Sequence, residues 1–218
     1  MSRNLLCIFL LLATGLSQAT TLFSNFGSGN NVRTGDGFSL GVGFTYSGSV
    51  AALVTDLGLL DVGGETWDTS HEIGLWDVTA GNVKIADVTV DNSGTLLNGF
   101  RYVHLGSATL LTVGHAYILG AYYNPSATSG SGAPISGDHL VDNGPGTAPT
   151  NDPSFTSLVG KFTGLNSVGS LSEPTGTAGH AYVGPNLQFT PVPEPGTALL
   201  FGAGIAGLLA SRLRRRAS

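Results

Sequence analysis

Apolar and polar residues alternate along much of this 218-residue chain. The clearest case is residues 38–46, whose apolar side chains stand at every second position: Phe38, Leu40, Val42, Phe44 and Tyr46. A period of two is typical of a strand that buries one face and leaves the other polar. The pattern therefore predicts a half-buried strand over residues 38–46.

Similar patterns predict further strands, separated by turns rich in Gly, Asn and Ser. They are residues 50–60 (interrupted near Asp56), 71–78, 83–90, 100–105, 108–112, 116–123, 155–162 and 181–190. Residues 116–123 are apolar at both parities, as in a central strand of a covered sheet. Short strands, frequent turns and no helical period predict an all-β fold, an antiparallel β-sandwich of jelly-roll type, over residues 20–190.

Two stretches of this domain lack the strand pattern. Residues 20–37 are rich in Gly, Ser and Asn and are predicted to be an irregular lead-in. Residues 124–152 consist mainly of Gly, Pro, Ser, Thr and Asp. An insert of that size is either a functional loop or a flexible one, and its composition favours a flexible insert.

The N-terminus has the pattern of a secretory signal. Arg3 is followed by an apolar run over residues 5–15 and then by Ser17-Gln18-Ala19, a small-x-small cleavage site. This order predicts a signal helix over residues 1–19, exported by the Sec pathway and removed by signal peptidase between Ala19 and Thr20. Cys7, the only cysteine, lies within it, so the mature chain has no disulfide and no thiol chemistry.

The C-terminus carries a second apolar run. Val192-Pro193-Glu194-Pro195 precedes an uncharged run, residues 196–211, and a basic tail, residues 212–218, that contains Arg212, Arg214, Arg215 and Arg216. A sixteen-residue helix rises only about 24 Å, a little less than the hydrocarbon layer of a bilayer. Arginines extend such a span by snorkelling and hold their end in the cytoplasm. Residues 196–211 are therefore predicted to form a single transmembrane helix; the alternative is a soluble C-terminal helix.

Motif, short span and arginine cluster together resemble the PEP-CTERM sorting signal of Gram-negative bacteria, here residues 191–218. The resemblance implies recognition by an exosortase, a membrane transpeptidase, with the tail removed near the Pro-Glu-Pro. It also implies a mature protein at the cell surface or in the exopolysaccharide matrix. Independently of the resemblance, Pro193 and Pro195 keep residues 192–195 extended, the form that a processing enzyme needs.

Four segments between Leu53 and Tyr123 resemble the choice-of-anchor domains, type R in particular. They are Leu57–Asp61, His71–Asp77, Gly99–Val103 and Leu111–Ala121. The resemblance implies a β-rich domain that occurs with alternative C-terminal anchors. It transfers no functional residue.

The charge of the predicted mature body is strongly negative. Residues 20–190 contain four Lys or Arg and thirteen Asp or Glu, a net charge of −9. Nucleic-acid binding depends on clustered Lys and Arg, so a nucleic-acid partner is not expected. The surface suits an extracellular protein that charge keeps soluble.

Glu72 and Trp76 are the one weak candidate for a ligand patch, because a strand places them on the same face. An exposed indole stacks on a sugar ring while a carboxylate binds its hydroxyls. In the alternative, which the sequence favours, Trp76 belongs to the sandwich core and Asp77 caps the turn at residues 79–81.

No metal ligand set and no catalytic motif stands out. A structural calcium site is an alternative, formed by Asp56, Asp61, Glu65 and Asp68 or by Asp138, Asp142 and Asn143, but no EF-hand loop is present. The five histidines lack the spacings of zinc ligands: His71, His104, His115, His139 and His180. Nucleophile-elbow and phosphate-loop motifs are absent as well.

The sequence therefore predicts an exported surface or extracellular-matrix protein with a non-enzymatic structural or binding role associated with exopolysaccharide. It predicts no metal and no cofactor. The main alternative is a carbohydrate-binding module, and a glycosidase with paired carboxylates is the third.

Overall fold

The computed structural model describes residues 19–25, 38–61, 70–123, 141–142, 150–163, 170–178, 182–192 and Gly204. Its strands are β1 Thr20–Thr21, β2 Phe38–Tyr46, β3 Ala52–Leu60, β4 His71–Asp77, β5 Val83–Val90, β6 Thr95–Leu97, β7 Phe100–Leu111, β8 Ala116–Tyr123, β9 Val141–Asp142, β10 Phe155–Phe162, β11 Gly176–Ala178, β12 Tyr182–Val183 and β13 Pro185–Pro191. The described part of residues 19–192 contains no helix. The predicted signal and transmembrane helices lie outside the described residues, apart from Ala19 and Gly204.

The strands form two large antiparallel sheets. One has the order β1-β13-β3-β7-β6 and the other β11-β10-β2-β8-β4-β5, while β12 pairs with β9. Apolar side chains of both large sheets meet in one buried cluster, in which Phe155 of β10 packs edge-on against Phe189 of β13 at 5.0 Å between ring centroids. The prediction of an all-β fold with antiparallel sheets is confirmed.

Strand β2 shows how the alternation of the sequence builds this core. All five apolar residues of the 38–46 pattern are buried in the cluster between the sheets. Strand β8 lies between β2 and β4 and is buried on both faces: Leu119 faces the core cluster, while Ile118 and Tyr122 are buried outside it. Residues 116–123 therefore form the covered central strand that their pattern predicts. The prediction of a half-buried strand over residues 38–46 is wrong for the second face of β2, because Ser39, Gly41 and Gly43 are buried as well.

The prediction of two short strands over residues 100–105 and 108–112 is wrong. Strand β7 runs unbroken from Phe100 to Leu111. Its partner β3 pairs Asp56 with His104 and Val54 with Thr109, so an irregularity near Asp56 absorbs the extra residues of β7. The polar break that suggested two strands is thus a bulge within one strand.

The prediction of an irregular lead-in is wrong for its first residues. Strand β1 pairs with β13, and Leu22 and Phe23 are fully buried. The buried amide of Asn186 accepts from the Phe23 N–H at 3.0 Å and donates to the Phe23 carbonyl at 2.9 Å. These bonds satisfy backbone groups that a longer strand would pair.

Most of the predicted flexible insert, residues 124–152, lies outside the described residues. Its last residues are nevertheless paired with the N-terminal segment. The Ser24 N–H donates to the Thr150 carbonyl, and the Asp152 N–H donates to the Leu22 carbonyl, each at 2.9 Å.

Because three tyrosines are buried, we expect the folded protein to lose stability in alkali. Burial raises the pKa of Tyr46, Tyr102 and Tyr117, because it disfavours the phenolate. In the unfolded chain these phenols ionise near pH 10. Above about pH 10 the unfolded state therefore holds fewer protons than the folded state, and the stability falls as the pH rises.

We expect the melting temperature, followed by circular dichroism, to be insensitive to these groups below about pH 10 and to fall above it. Tyr102→Phe removes one of the three phenols and should make the fall shallower. An equal alkaline fall in this variant would contradict the assignment for Tyr102.

Candidate functional site

The candidate patch of Glu72 and Trp76 lies on the face of β4 that points away from the core. Ile73 and Leu75, which point to the other face of the strand, belong to the core cluster. Trp76 is 5 % exposed and lies outside that cluster. The interpretation of Trp76 as a sandwich-core residue is therefore wrong. Its side chain is buried on the opposite side of the sheet from the core.

Residues 170–178, here named the strap, cover this face. The Leu171 N–H donates to Oε2 of Glu72 at 3.0 Å, and the Ser172 N–H donates to Oγ of Ser39 on β2 at 3.2 Å. The end of the strap, β11, pairs with β10 at the edge of the same sheet. Glu72 is thus a hydrogen-bond acceptor that holds a segment 99 residues away in sequence.

Two glycines make room for Trp76 beneath the strap. Gly74 and Gly120 are paired neighbours on β4 and β8. A Cβ atom at Gly74 would lie 2.6 Å from Cη2 of Trp76 and 2.9 Å from Cδ2 of Leu171. A Cβ atom at Gly120 would lie 2.9 Å from Cγ of Pro174. Any larger side chain at these two positions would clash with the indole or the strap, so glycine is needed for both to pack against this face of the sheet.

This arrangement decides what the patch can do chemically. The indole face is closed, so a sugar reaches Trp76 only if the strap moves away from β4. Sequence reasoning placed Glu72 and Trp76 on one face but missed the strap. The available signal was the pair of glycines in two apolar strands, where close approach of another segment is a common reason for a missing side chain.

Asp77, the next residue of β4, caps the turn after the strand as predicted. Its Oδ1 accepts from the Ala80 N–H at 2.9 Å, and its Oδ2 lies 2.9 Å from Nδ1 of His115. The His115 ring also stacks on Tyr117 at 6.2 Å between centroids. This pair joins the β4–β5 turn to the loop before β8.

The carboxylates proposed for calcium have separate partners where the structure describes them. Asp56 lies 3.2 Å from Nδ1 of His104. Asp61 pairs with Arg101 at 2.6 Å. Asp142 lies in β9, and the other candidates are outside the described residues: Glu65, Asp68, Asp138 and Asn143.

Within the described ranges, no three His, Cys, Asp or Glu side chains come together as a metal-binding group. His71 is buried with Nδ1 3.2 Å from the Tyr122 carbonyl oxygen, and His139 and His180 are not described. The expectations of no metal and of a calcium alternative both stay predictions.

The first and last described strands have their outer ends at the same end of the sandwich. Strand β13 ends at Pro191, and the Val192 N–H donates to the Ala51 carbonyl at 2.8 Å. Strand β1 begins at Thr20, which pairs with Phe189 of the antiparallel β13. The domain therefore begins and ends side by side, with Ala19 exposed just before β1. Pro193, Glu194, Pro195 and the four terminal arginines lie outside the described residues.

Comparison with protein families accounts for the chain beyond this end. Residues 191–216 match the family model described as the PEP-CTERM protein-sorting motif. This segment is a PEP-CTERM sorting motif. The motif implies an exported protein that an exosortase sorts and processes, with a cell-surface or extracellular location.

A search of curated proteins finds no match to the chain. Among the described residues, no helix is long and apolar enough to cross a membrane. Of residues 196–211, only Gly204 is among those residues.

Proposed function

We propose that this PEP-CTERM protein has a non-enzymatic structural or binding role in the exopolysaccharide matrix or at the cell surface. The observation that carries the proposal is the PEP-CTERM motif, which begins where the last strand ends. The proposal includes a signal peptide cleaved between Ala19 and Thr20. It also includes transient anchoring by residues 196–211 and a jelly-roll domain of choice-of-anchor type R.

The limits of the fold support this processing scheme. The first strand begins at Thr20, and the last backbone hydrogen bond at the C-terminal end is that of Val192 among the described residues. Removal of residues 1–19 and of everything after the Pro-Glu-Pro leaves every described strand intact. A domain that keeps its core after both cleavages is what export followed by release requires.

The intact mass of the protein recovered from the cell surface or the medium tests the proposal. We expect a species that begins at Thr20 and ends near Pro193. The control is the same protein from cells without exosortase activity, in which the C-terminal arginines should be retained. An inner-membrane species that retains Arg212 to Arg216 in cells with active exosortase would contradict the proposal. It would indicate a protein that stays anchored in the membrane by its tail.

A carbohydrate-binding module is the second candidate, and the shared face of Glu72 and Trp76 is the observation that favours it. Because Trp76 is 5 % exposed, this function requires the strap to leave β4. The test is retention of the protein in gels that contain the matrix polysaccharide. Binding predicts that Trp76→Ala abolishes retention while Leu171→Ala, which removes a strap contact and leaves the indole, preserves or increases it.

No retention of the wild-type protein would favour the purely structural role. The melting temperatures of both variants show whether any loss of retention reflects unfolding. A glycosidase, the third candidate, would release reducing sugar from the same polysaccharide, and we expect none.

A further inference from the structure

Exposed apolar side chains gather at the end of the sandwich from which the tail leaves. This end, here named the tail pole, contains Thr20, Ala52, Asp77, Leu111 and Val192. Six large apolar side chains are exposed in the described part of the chain. Four of them are near the tail pole: Leu53, Val83, Leu110 and Val113, which are 37 %, 50 %, 52 % and 44 % exposed.

Strand pairing places these four side chains. Leu53 is paired with Thr190 of β13 on one side and with Leu110 of β7 on the other. Val113 follows β7 in the loop that leads to β8, and Val83 begins β5 opposite Asp77. The other two exposed side chains, Leu96 and Leu97, lie on β6 at the opposite end of the sheet, about the length of β3 or 26 Å away.

The short connection after Val192 limits how far the tail pole can lie from the start of the apolar run. Four peptide steps separate Val192 from Gly196, where the apolar run begins, and they span at most about 14 Å. Proline disfavours a helix at its own position and at the residue before it, so the sequence predicts an extended connection. If residues 196–211 enter a membrane, Val192 and the tail pole are held within about 14 Å of the point of entry, whereas the β6 end, about 26 Å from the tail pole, is not held there.

We propose that the tail pole is a membrane-contact surface. Before processing, Leu53, Leu110, Val113 and Val83 rest on the phospholipid surface that residues 196–211 enter, and contact ends when the tail is removed. The inference rests on the proposed function, because it assumes that the tail is membrane-inserted. Apolar side chains at the boundary of headgroups and acyl chains are stabilised there, and a covalent tether makes even weak contact persistent.

Fluorescence quenching by spin-labelled lipid tests the contact. The full chain with Cys7→Ser and one added cysteine is made without exosortase and reconstituted in vesicles of phosphatidylethanolamine and phosphatidylglycerol. An environment-sensitive dye is attached at Leu110→Cys or Val113→Cys. The matched controls are Leu96→Cys and Leu97→Cys, which are 46 % and 44 % exposed at the other end of the sheet.

We expect the lipid quencher to reduce the dye signal at the tail pole by about twofold or more relative to the β6 controls. Vesicle flotation is measured on the same samples. Flotation with equal quenching at both ends overturns the contact surface and leaves tail insertion standing. Failure of the wild-type chain to float overturns both the contact and the membrane anchoring. Quenching that requires added exosortase also overturns the proposal, because the enzyme would then be the partner of this surface.

Discussion

Replacing Pro193 and Pro195 by alanine is expected to trap the protein in the inner membrane with its tail intact. Proline disfavours a helix at its own position and at the residue before it, so we expect the wild-type motif to be extended between the sandwich and the apolar run. Without them, these residues are free to join the helix predicted over 196–211. A cleavage site drawn into a helix is misplaced in the active site of the processing enzyme.

We expect the amount of mature protein at the cell surface to fall roughly 10- to 100-fold, since misplacement of a reacting bond has effects of that order. Immunoblots of inner membrane, surface and medium measure the distribution, and intact mass identifies the ends. Pro153→Ala is the matched control, because Pro153 is exposed and lies far from the motif in sequence. Normal release of the doubly substituted protein would show that the extended motif is not what the enzyme requires.

The strands that the sequence predicts well are those whose pattern is set by local burial. Strand β2 alternates because one face meets the core, and β8 is apolar throughout because both of its faces are covered. The apparent break in β7 could not be interpreted from its own residues. Its continuity depends on the partner strand β3, which holds both halves of β7 on either side of a bulge.

Contacts between distant segments account for the errors at the candidate site. Parity places Glu72 and Trp76 on one face of β4, as the structure does. Parity alone does not say whether solvent, a second sheet or another segment covers that face. The answer lies in the strap, whose bond from Leu171 to Glu72 joins residues 99 positions apart. Trp76 is therefore neither part of an open sugar-binding surface nor a residue of the core between the sheets. It is buried beneath the strap.

The tail could be identified from the sequence alone because its motif is defined by the order of adjacent residues. Pro-Glu-Pro, an uncharged run and an arginine cluster are adjacent in sequence, so no tertiary contact is needed to identify them. Residues 191–216 accordingly match a family model, while the body that precedes them is understood only through its fold. The tail implies where the protein goes, and the described domain limits which of its faces meets a ligand or a membrane.

Removing the guanidinium group of Arg101 is expected to lower the free energy of unfolding by about 3–5 kcal/mol. Its Nη2 and Nε lie 2.6 Å and 2.8 Å from Oδ2 of Asp61, whose side chain has no solvent exposure. The other oxygen, Oδ1, is buried and has no hydrogen-bond partner among the described residues. Arg101→Ala therefore leaves a buried carboxylate without its cation. It also removes the bonds that Nη1 donates to the Asn92 and Gly94 carbonyls in the β5–β6 turn.

Urea unfolding of Arg101→Ala, Asp61→Leu and the double variant separates the ion pair from these turn contacts. The double variant should be more stable than Arg101→Ala, because it no longer buries an uncompensated charge. Lys84→Ala is the matched control, since Lys84 and its partner Asp87 are 43 % and 60 % exposed. That exposed pair should contribute less than about 1 kcal/mol. If Arg101→Ala costs no more than Lys84→Ala, the buried pair does not stabilise the end of β3 against β7.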